Sequence, residues 1–236
     1  MNVLVIVPAY NEEKNISGVI KTLHKNGKYD VIVVNDGSKD RTAEIARETG
    51  KAFVADLTCN LGIGGAVQTG LKFARNNGYD VAIQFDGDGQ HKAEEIRKLL
   101  GPISKGEADV VIGSRFIERY DGFRSTLTRR MGIKVFECLN YLLMRQRVTD
   151  NTSGFRAYNR DALVFLADNY PTDYPEPEAV VLLLKNKFVI KEVFTEMLER
   201  SGGESSINGL KSAYYMIKVV LAILFASIRP KIRKEV

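Results

Sequence analysis

The sequence predicts an α/β fold: a Rossmann-like, mostly parallel sheet flanked by helices, with an amphipathic helix at the C-terminus. Two observations carry the sheet. Val3–Val7 and Val31–Val34 are short β-branched runs of the kind buried on both faces of a parallel sheet. Amphipathic segments alternate with such runs through the first half, joined by short links, which is the rhythm of successive βαβ units. The terminal helix rests on Leu210, Tyr214, Ile217, Leu221, Leu224, Phe225 and Ile228, which recur at helical spacing with Lys211 and Lys218 on another face.

Taken in order, Val3–Val7 is the first strand and Asn15–Lys25 the first helix. Val31–Val34 follows, then a helix over Arg41–Glu48, with Asp40 and Thr42 suited to start it and Gly50 to end it. Phe53–Ala55, Val81–Phe85 and Val110–Ile112 continue the strands, with helices over Gly65–Asn76 and Ala93–Leu100 between them. Leu127–Met144 reads as a long helix, TDNTSG as a turn and PTDYPEPE as a Pro-rich loop. Ala179–Asn186 reads as a helix and Val189–Leu198 as a strand near the sheet edge. These elements form one domain over residues 1–208, with the C-terminal helix occupying 209–236.

With 236 residues, 44% hydrophobic and 27% charged, the chain is an ordinary globular one. Its net charge of +5 favours a phosphate, a nucleotide or an acidic membrane surface as partner, and no nucleic acid is expected. Cys59 and Cys138 stand far apart and form neither a disulfide framework nor a zinc spacing, so a reduced, cytoplasmic setting is expected. The opening MNVLVIVPAYNEE lacks the basic flank and length of a signal peptide and reads as a strand. The apolar stretch at 213–228 is interrupted by Lys218 and falls short of the roughly 20 residues a spanning helix needs.

Open α/β sheets bind ligands beyond the carboxyl ends of their strands. The segments in that position are PAYNEE, NDGSKDRT, NLGIGGA, DGDGQH and GSRF, all polar or glycine-rich. In DGDGQH, Gly87 and Gly89 free the backbone around Asp86 and Asp88. Two carboxylates so close repel unless a cation neutralises them or one is protonated. Their oxygens suit Mg²⁺ or Mn²⁺, which commonly joins carboxylates to substrate phosphates, and Gln90 adds an amide oxygen. The alternative is a solvated Asp-Gly turn. The first turn, which has no glycine, and Val67, standing where a third fingerprint glycine belongs, argue against a dinucleotide dehydrogenase. No P-loop is present.

PAYNEE, VNDGSKDRT and the DxD of DGDGQH together resemble the family-2 glycosyltransferases, which have a GT-A fold. SRF, TRR, DNTSGFRAY and ERSGGESS narrow the likeness to the polyprenol-phosphate sugar synthases, the group of dolichyl-phosphate mannose synthase, over roughly residues 2–208 in order. The resemblance implies that Pro8, Ala9, Tyr10, Glu12, Asn35, Asp36, Gly64 and Asp86 bind the nucleotide sugar, with Asp36 accepting hydrogen bonds from the base. Where the family often has two aspartates, this chain has Asn35–Asp36. It implies a metal, Mg²⁺ or Mn²⁺, on Asp86, Asp88 and Gln90, and Arg200 in a loop closing over the diphosphate beside Gly202 and Gly203. Arg115, Arg129 and Arg130 match the positions that bind the acceptor phosphate, a role suited to the guanidinium fork.

The expected reaction is inverting transfer of a hexose from a UDP- or GDP-linked donor to a polyprenyl phosphate. That acceptor is already anionic and needs no general base. The alternative acceptor is a saccharide hydroxyl on a lipid-linked intermediate of surface-polysaccharide synthesis, which needs one. Glu176 and Glu178 are the candidates, with Glu178 nearer the family position and Asp150 a third carboxylate; Asp88, Glu178 and Arg200 are the expected catalytic residues. His24 and His91 are not expected to catalyse, His91 serving to shape the turn. The C-terminal helix with its basic tail RPKIRK is expected on an anionic membrane surface, or packed on the domain or in a homo-oligomer. That makes the protein peripheral to the inner, cytoplasmic face. A sugar nucleotidyltransferase is a remote alternative, since its glycine- and arginine-rich first turn is missing. A non-catalytic membrane-binding module is another.

Overall fold

The computed structural model describes residues 1–117, 141, 145–198, 210–228 and 230–232. Its strands are β1 (Val3–Ala9), β2 (Asp30–Asn35), β3 (Phe53–Asp56), β4 (Val81–Gln84), β5 (Val110–Ser114), β6 (Arg156–Tyr158) and β7 (Ile190–Phe194). Its helices are α1 (Ile16–Asn26), α2 (Thr42–Glu48), α3 (Gly62–Asn76), α4 (Ile96–Ser104), α5 (Arg160–Asn169), α6 (Pro175–Lys185) and α7 (Leu210–Ile228). The strands form one sheet in the order β3-β2-β1-β4-β6-β5-β7. All neighbours are parallel except β6, which runs antiparallel to both β4 and β5. The expected mostly parallel sheet is therefore present, and β7 lies at its edge as expected.

Alternation along the strands divides the core between the two faces. Leu4, Ile6, Ile32, Val34, Val110 and Ile112 face α3, α5 and α6, which contribute Val67, Leu71, Leu163, Leu166 and Val180. Val3, Val5, Val7, Val31, Val33 and Ile83 face α1 and α4, which contribute Ile16, Ile20, Leu23, Ile96 and Leu99. Both faces are covered, which is why these strands read as unbroken apolar runs.

The second half departs from the sequence reading in three places. The Pro-rich loop ends early: Pro175 is already in the first turn of α6, where its missing N–H costs nothing. Helix α5 went unread, although Asn159 caps it by accepting from the Ala162 N–H at 2.9 Å. Strand β6 went unread because it is three residues long and begins with an arginine. Because β6 runs against its neighbours, its beginning rather than its end lies at the carboxyl edge of the sheet: Arg156 pairs with Gln84 and with Ile112. The loop leading into β6 is thereby delivered to the strand ends where ligands bind. The expected helix over Leu127–Met144 lies outside the described residues apart from Tyr141.

Candidate active site

Three strand-end loops are stitched into one rim. The Asn11 N–H donates to Ser38 Oγ at 2.9 Å, and Asn11 Oδ1 accepts from the Lys39 N–H at 2.9 Å. The Glu12 N–H donates to Thr42 Oγ1 at 2.8 Å, while the Glu12 carboxylate accepts from Asn15 Nδ2 at 2.8 Å. Asp36 is buried, and its Oδ1 accepts from the Leu61 N–H at 2.7 Å, tying in the loop after β3. Asn35 donates to Asp56 at 2.7 Å, and its own Oδ1 is buried with no partner among the described residues. Pro8 and Ala9 are buried at the end of β1, and Tyr10 stands exposed on the rim. Gly64 serves close packing: a Cβ there would lie 2.5 Å from the Pro171 carbonyl oxygen, so α3 can approach the 171–172 backbone only with glycine at this position.

The DGDGQH turn leaves β4 at the centre of this rim. Gly89 adopts φ +76°, a conformation that lets the Gln90 N–H reach back to Asp88 Oδ1 at 3.0 Å. The Gln90 carbonyl accepts from the Leu198 N–H at 2.8 Å, and its side-chain amide nitrogen lies 3.5 Å from the Leu198 carbonyl. Asp86 is half-buried and accepts from His91 Nε2 at 2.9 Å. Burial alone would push the Asp86 carboxyl up, but His91, Arg115 and Arg156 together outweigh it and hold the group below its ordinary value.

The loop into β6 closes the far side. Gly154 lies flat against Asp86: a Cβ there would sit 2.8 and 3.0 Å from the two carboxylate oxygens and 3.2 Å from Gln84 Nε2. Gly154→Ala is therefore expected to swing the Asp86 carboxylate aside and lower turnover by about 10–100-fold, the cost of misplacing a reacting group by about an ångström. Gly18→Ala, where a Cβ meets nothing within 4 Å, is the matched control and should leave turnover unchanged. Equal activity of the two variants in a steady-state assay would refute the expectation.

Arg156 is fully buried, yet among the described residues its guanidinium bonds no carboxylate. It donates instead to the backbone carbonyls of Ser153 (2.7 Å), Glu176 (2.9 Å) and Asn151 (2.8 Å). It thus braces the β6 loop against the start of α6.

Arg115, expected at the acceptor phosphate, is engaged with protein. Its Nε and Nη2 meet the two oxygens of buried Asp150 at 2.6 and 2.7 Å, and Nη2 also reaches Thr152 Oγ1 at 3.1 Å. Asp150 is correspondingly the counter-ion of Arg115.

The two glutamates of YPEPE separate on opposite sides of α6. Glu176 faces the DGDGQH turn, with its Oε1 3.4 Å from Gln84 Nε2, which is itself placed by the Tyr170 hydroxyl donating to Gln84 Oε1 at 3.1 Å. Burial pushes the Glu176 carboxyl up; Arg156 opposes this in part, and the neighbouring Asp86 charge adds to it. Glu178 accepts from the Tyr174 N–H at 3.1 Å, capping the helix start. It lines a cavity of about 490 Å³ beneath α7, with Tyr174, Lys218 and Phe225. The sequence preference for Glu178 as the catalytic carboxylate thus meets a geometry that places Glu176 beside Asp86 instead. A loop prediction gives no helical phase, whereas in a helix two residues on turns the side chain by about 200°. Arg129, Arg130 and Arg200 lie outside the described residues.

Among the described residues no group of three carboxylate, imidazole or thiolate side chains converges as a metal cage. Two carboxylates on one turn, with Asp86 held in its charged form, fit a hard divalent cation that takes its other ligands from phosphates and water.

A mostly parallel sheet whose strand-end loops form one rim around a paired-carboxylate turn is the architecture of the GT-A fold. The comparisons agree, and residues 4–165 match the family described as Glycosyl transferase family 2. The chain belongs to that family and is a glycosyltransferase. It is 33% identical, over 91% of its length and 94% of the relative's, to UDP-N-acetylglucosamine--dolichyl-phosphate N-acetylglucosaminyltransferase of Methanococcus voltae. It is 31% identical to polyprenol monophosphomannose synthase of Mycolicibacterium smegmatis, over 92% and 84% of the two chains. Among solved structures, glucosyl-3-phosphoglycerate synthase from Mycobacterium tuberculosis, in complex with Mn²⁺, UDP and phosphoglyceric acid, superposes with a TM-score of 0.74 at 22% identity. That likeness covers 97% of this chain and 79% of the other.

Proposed function

We propose that this enzyme transfers a hexose, with inversion, from a UDP- or GDP-linked sugar to a polyprenyl phosphate. The observation that carries the acceptor half is the likeness running along nearly the whole of both chains to a relative named for a dolichyl-phosphate acceptor. The donor half is supported by the rim and the carboxylate turn. The rim formed by Pro8, Ala9, Tyr10, Glu12, Asn35 and Asp36 receives the nucleoside, with the ties from Asn11 and Asp36 holding its loops in register. Asp86 and Asp88, with the Gln90 amide beside them, would hold Mg²⁺ or Mn²⁺. Such a cation, when bound, supplies Lewis-acid stabilisation of charge on the departing diphosphate. Arg115 keeps the Asp150–Thr152 loop in place and adds positive field at the turn, leaving the acceptor phosphate to Arg129 and Arg130 and the diphosphate to Arg200.

No helix among the described residues is long and apolar enough to cross a membrane. In α7, Val219, Ile223 and Ala226 pack with Val181 of α6, whereas Leu221, Leu224, Phe225 and Ile228 are exposed. An exposed apolar stripe followed in sequence by Arg229, Lys231, Arg233 and Lys234 supports seating on the anionic, cytoplasmic face of a membrane, where a polyprenyl phosphate is presented.

The placement of Glu176 supports a second reading, transfer to a saccharide hydroxyl with Glu176 as general base. One experiment separates the two. Radiolabelled UDP-N-acetylglucosamine or GDP-mannose is incubated with parent, Glu176→Gln and Glu178→Gln enzymes, in parallel reactions that supply either polyprenyl phosphate or a lipid-linked saccharide as acceptor. A lipid product labile to mild acid, with Glu176→Gln within a few-fold of the parent, is the expected result. Label that mild acid releases only within a larger saccharide, with kcat lowered by about 10²–10⁴-fold in Glu176→Gln, selects the hydroxyl acceptor.

A further inference from the structure

We infer that His91 is a positioning residue: its Nε2–H fixes the Asp86 carboxylate in the one orientation that presents the other oxygen, Oδ1, to a divalent cation. The inference rests on the reading of Asp86 as a metal ligand.

The imidazole is buried, with its ring plane set on two sides. It stacks on Phe155 at a centroid distance of 4.8 Å and 24°, and meets the edge of Phe85 at 5.5 Å and 67°. Phe85 and Phe155 themselves pack edge to face at 5.5 Å, so the aromatic slot is closed. The backbone of His91 is held as well, by an antiparallel bridge to Met197. Neither the ring nor its backbone has room to drift, and Nε2 points at Asp86 Oδ2 from 2.9 Å. An ionised carboxylate only accepts, so Nε2 carries the proton in this contact.

The terminal torsion of an aspartate is intrinsically broad. Here it is limited from two directions, by His91 on Oδ2 and by the Cα of Gly154, which leaves no space for even a methyl group beside the two oxygens. A carboxylate so held loses little further freedom when it takes a ligand. The remaining imidazole nitrogen argues against a packing role alone. Among the described residues His91 Nδ1 is buried without a partner, a penalty that a phenylalanine in the same slot would avoid. The Nε2 contact is what an imidazole adds to that slot. Partners of this kind, placed behind a metal ligand, typically change metal affinity by about 10–100-fold when removed.

The test is Mn²⁺ binding, read by the electron paramagnetic resonance signal of free Mn²⁺ in the presence of UDP, with no turnover involved. His91→Phe keeps the aromatic slot and removes the donor; it is expected to melt within a few degrees of the parent and to bind Mn²⁺ about 10–100-fold more weakly. His91→Gln returns an N–H near the Nε2 position and is expected to recover most of that affinity, whereas His91→Asn, too short to reach, is not. Should His91→Phe fail to fold, the Gln and Asn pair decides by itself. Unchanged Mn²⁺ affinity in His91→Phe, or equal affinities in His91→Gln and His91→Asn, overturns the inference while the metal site stands. Absence of Mn²⁺ binding by the parent enzyme, with UDP present, removes the metal site and the inference with it.

Discussion

Asp88→Asn is expected to lower kcat/KM for sugar transfer by about 10²–10³-fold, the scale of removing one electrostatic contact to developing charge. The substitution keeps the side chain's shape and an acceptor for the Gln90 N–H, which closes the turn at 3.0 Å. What it removes is one negative charge from a pair standing at the exit of a buried strand. The melting temperature should therefore stay within a few degrees while the metal concentration needed for half-maximal activity rises. Chelation of the parent enzyme should reproduce the loss, and added Mn²⁺ should restore it. Turnover indifferent both to the substitution and to chelation would remove the metal from the reaction.

Arg156→Met is expected to act through the fold. Removing the guanidinium strands the carbonyls of Ser153, Glu176 and Asn151 inside the protein and takes a cation from between Asp86 and Glu176. Breaking a buried polar brace of this kind costs about 3–5 kcal/mol, which for a chain of this size lowers the melting temperature by roughly 10 °C. Arg156→Lys should recover little, because one ammonium does not match the planar fork aimed at carbonyls on two separate segments. Calorimetry provides the measurement, and a loss of less than 2 °C for the methionine variant would refute the brace. Activity should fall in both variants even at temperatures where they are folded, since the β6 loop and the start of α6 would no longer be registered against the DGDGQH turn.

What was legible in the sequence follows from how each element is buried. Strands β1, β2 and β4 are covered on both faces and show as continuous apolar runs; with them came the strand-end loops, and hence Asp86, Asp88, Asn35 and Asp36. The same periodicity fails for β6, where the residue facing the site is a buried arginine whose partners are backbone carbonyls invisible to any pattern of side chains. A sequence shows the charge of Arg115 without its partner, because Asp150 lies 35 residues away. In the sequence His91 shows only as a turn residue; the proximity of Phe155, far along the chain, is what clamps its ring. Family position alone favours Glu178 over Glu176, and only the helix that Pro175 begins gives the two glutamates a phase.

Helix α6 carries one more consequence. It is 11 residues long, about 16 Å of stiff rod. Glu176 and the carbonyl held by Arg156 sit at its first turn, and Val181, at its middle, packs against α7. A load applied to the C-terminal helix therefore has a short, rigid lever to the reaction centre, with the Arg156 brace as its fulcrum.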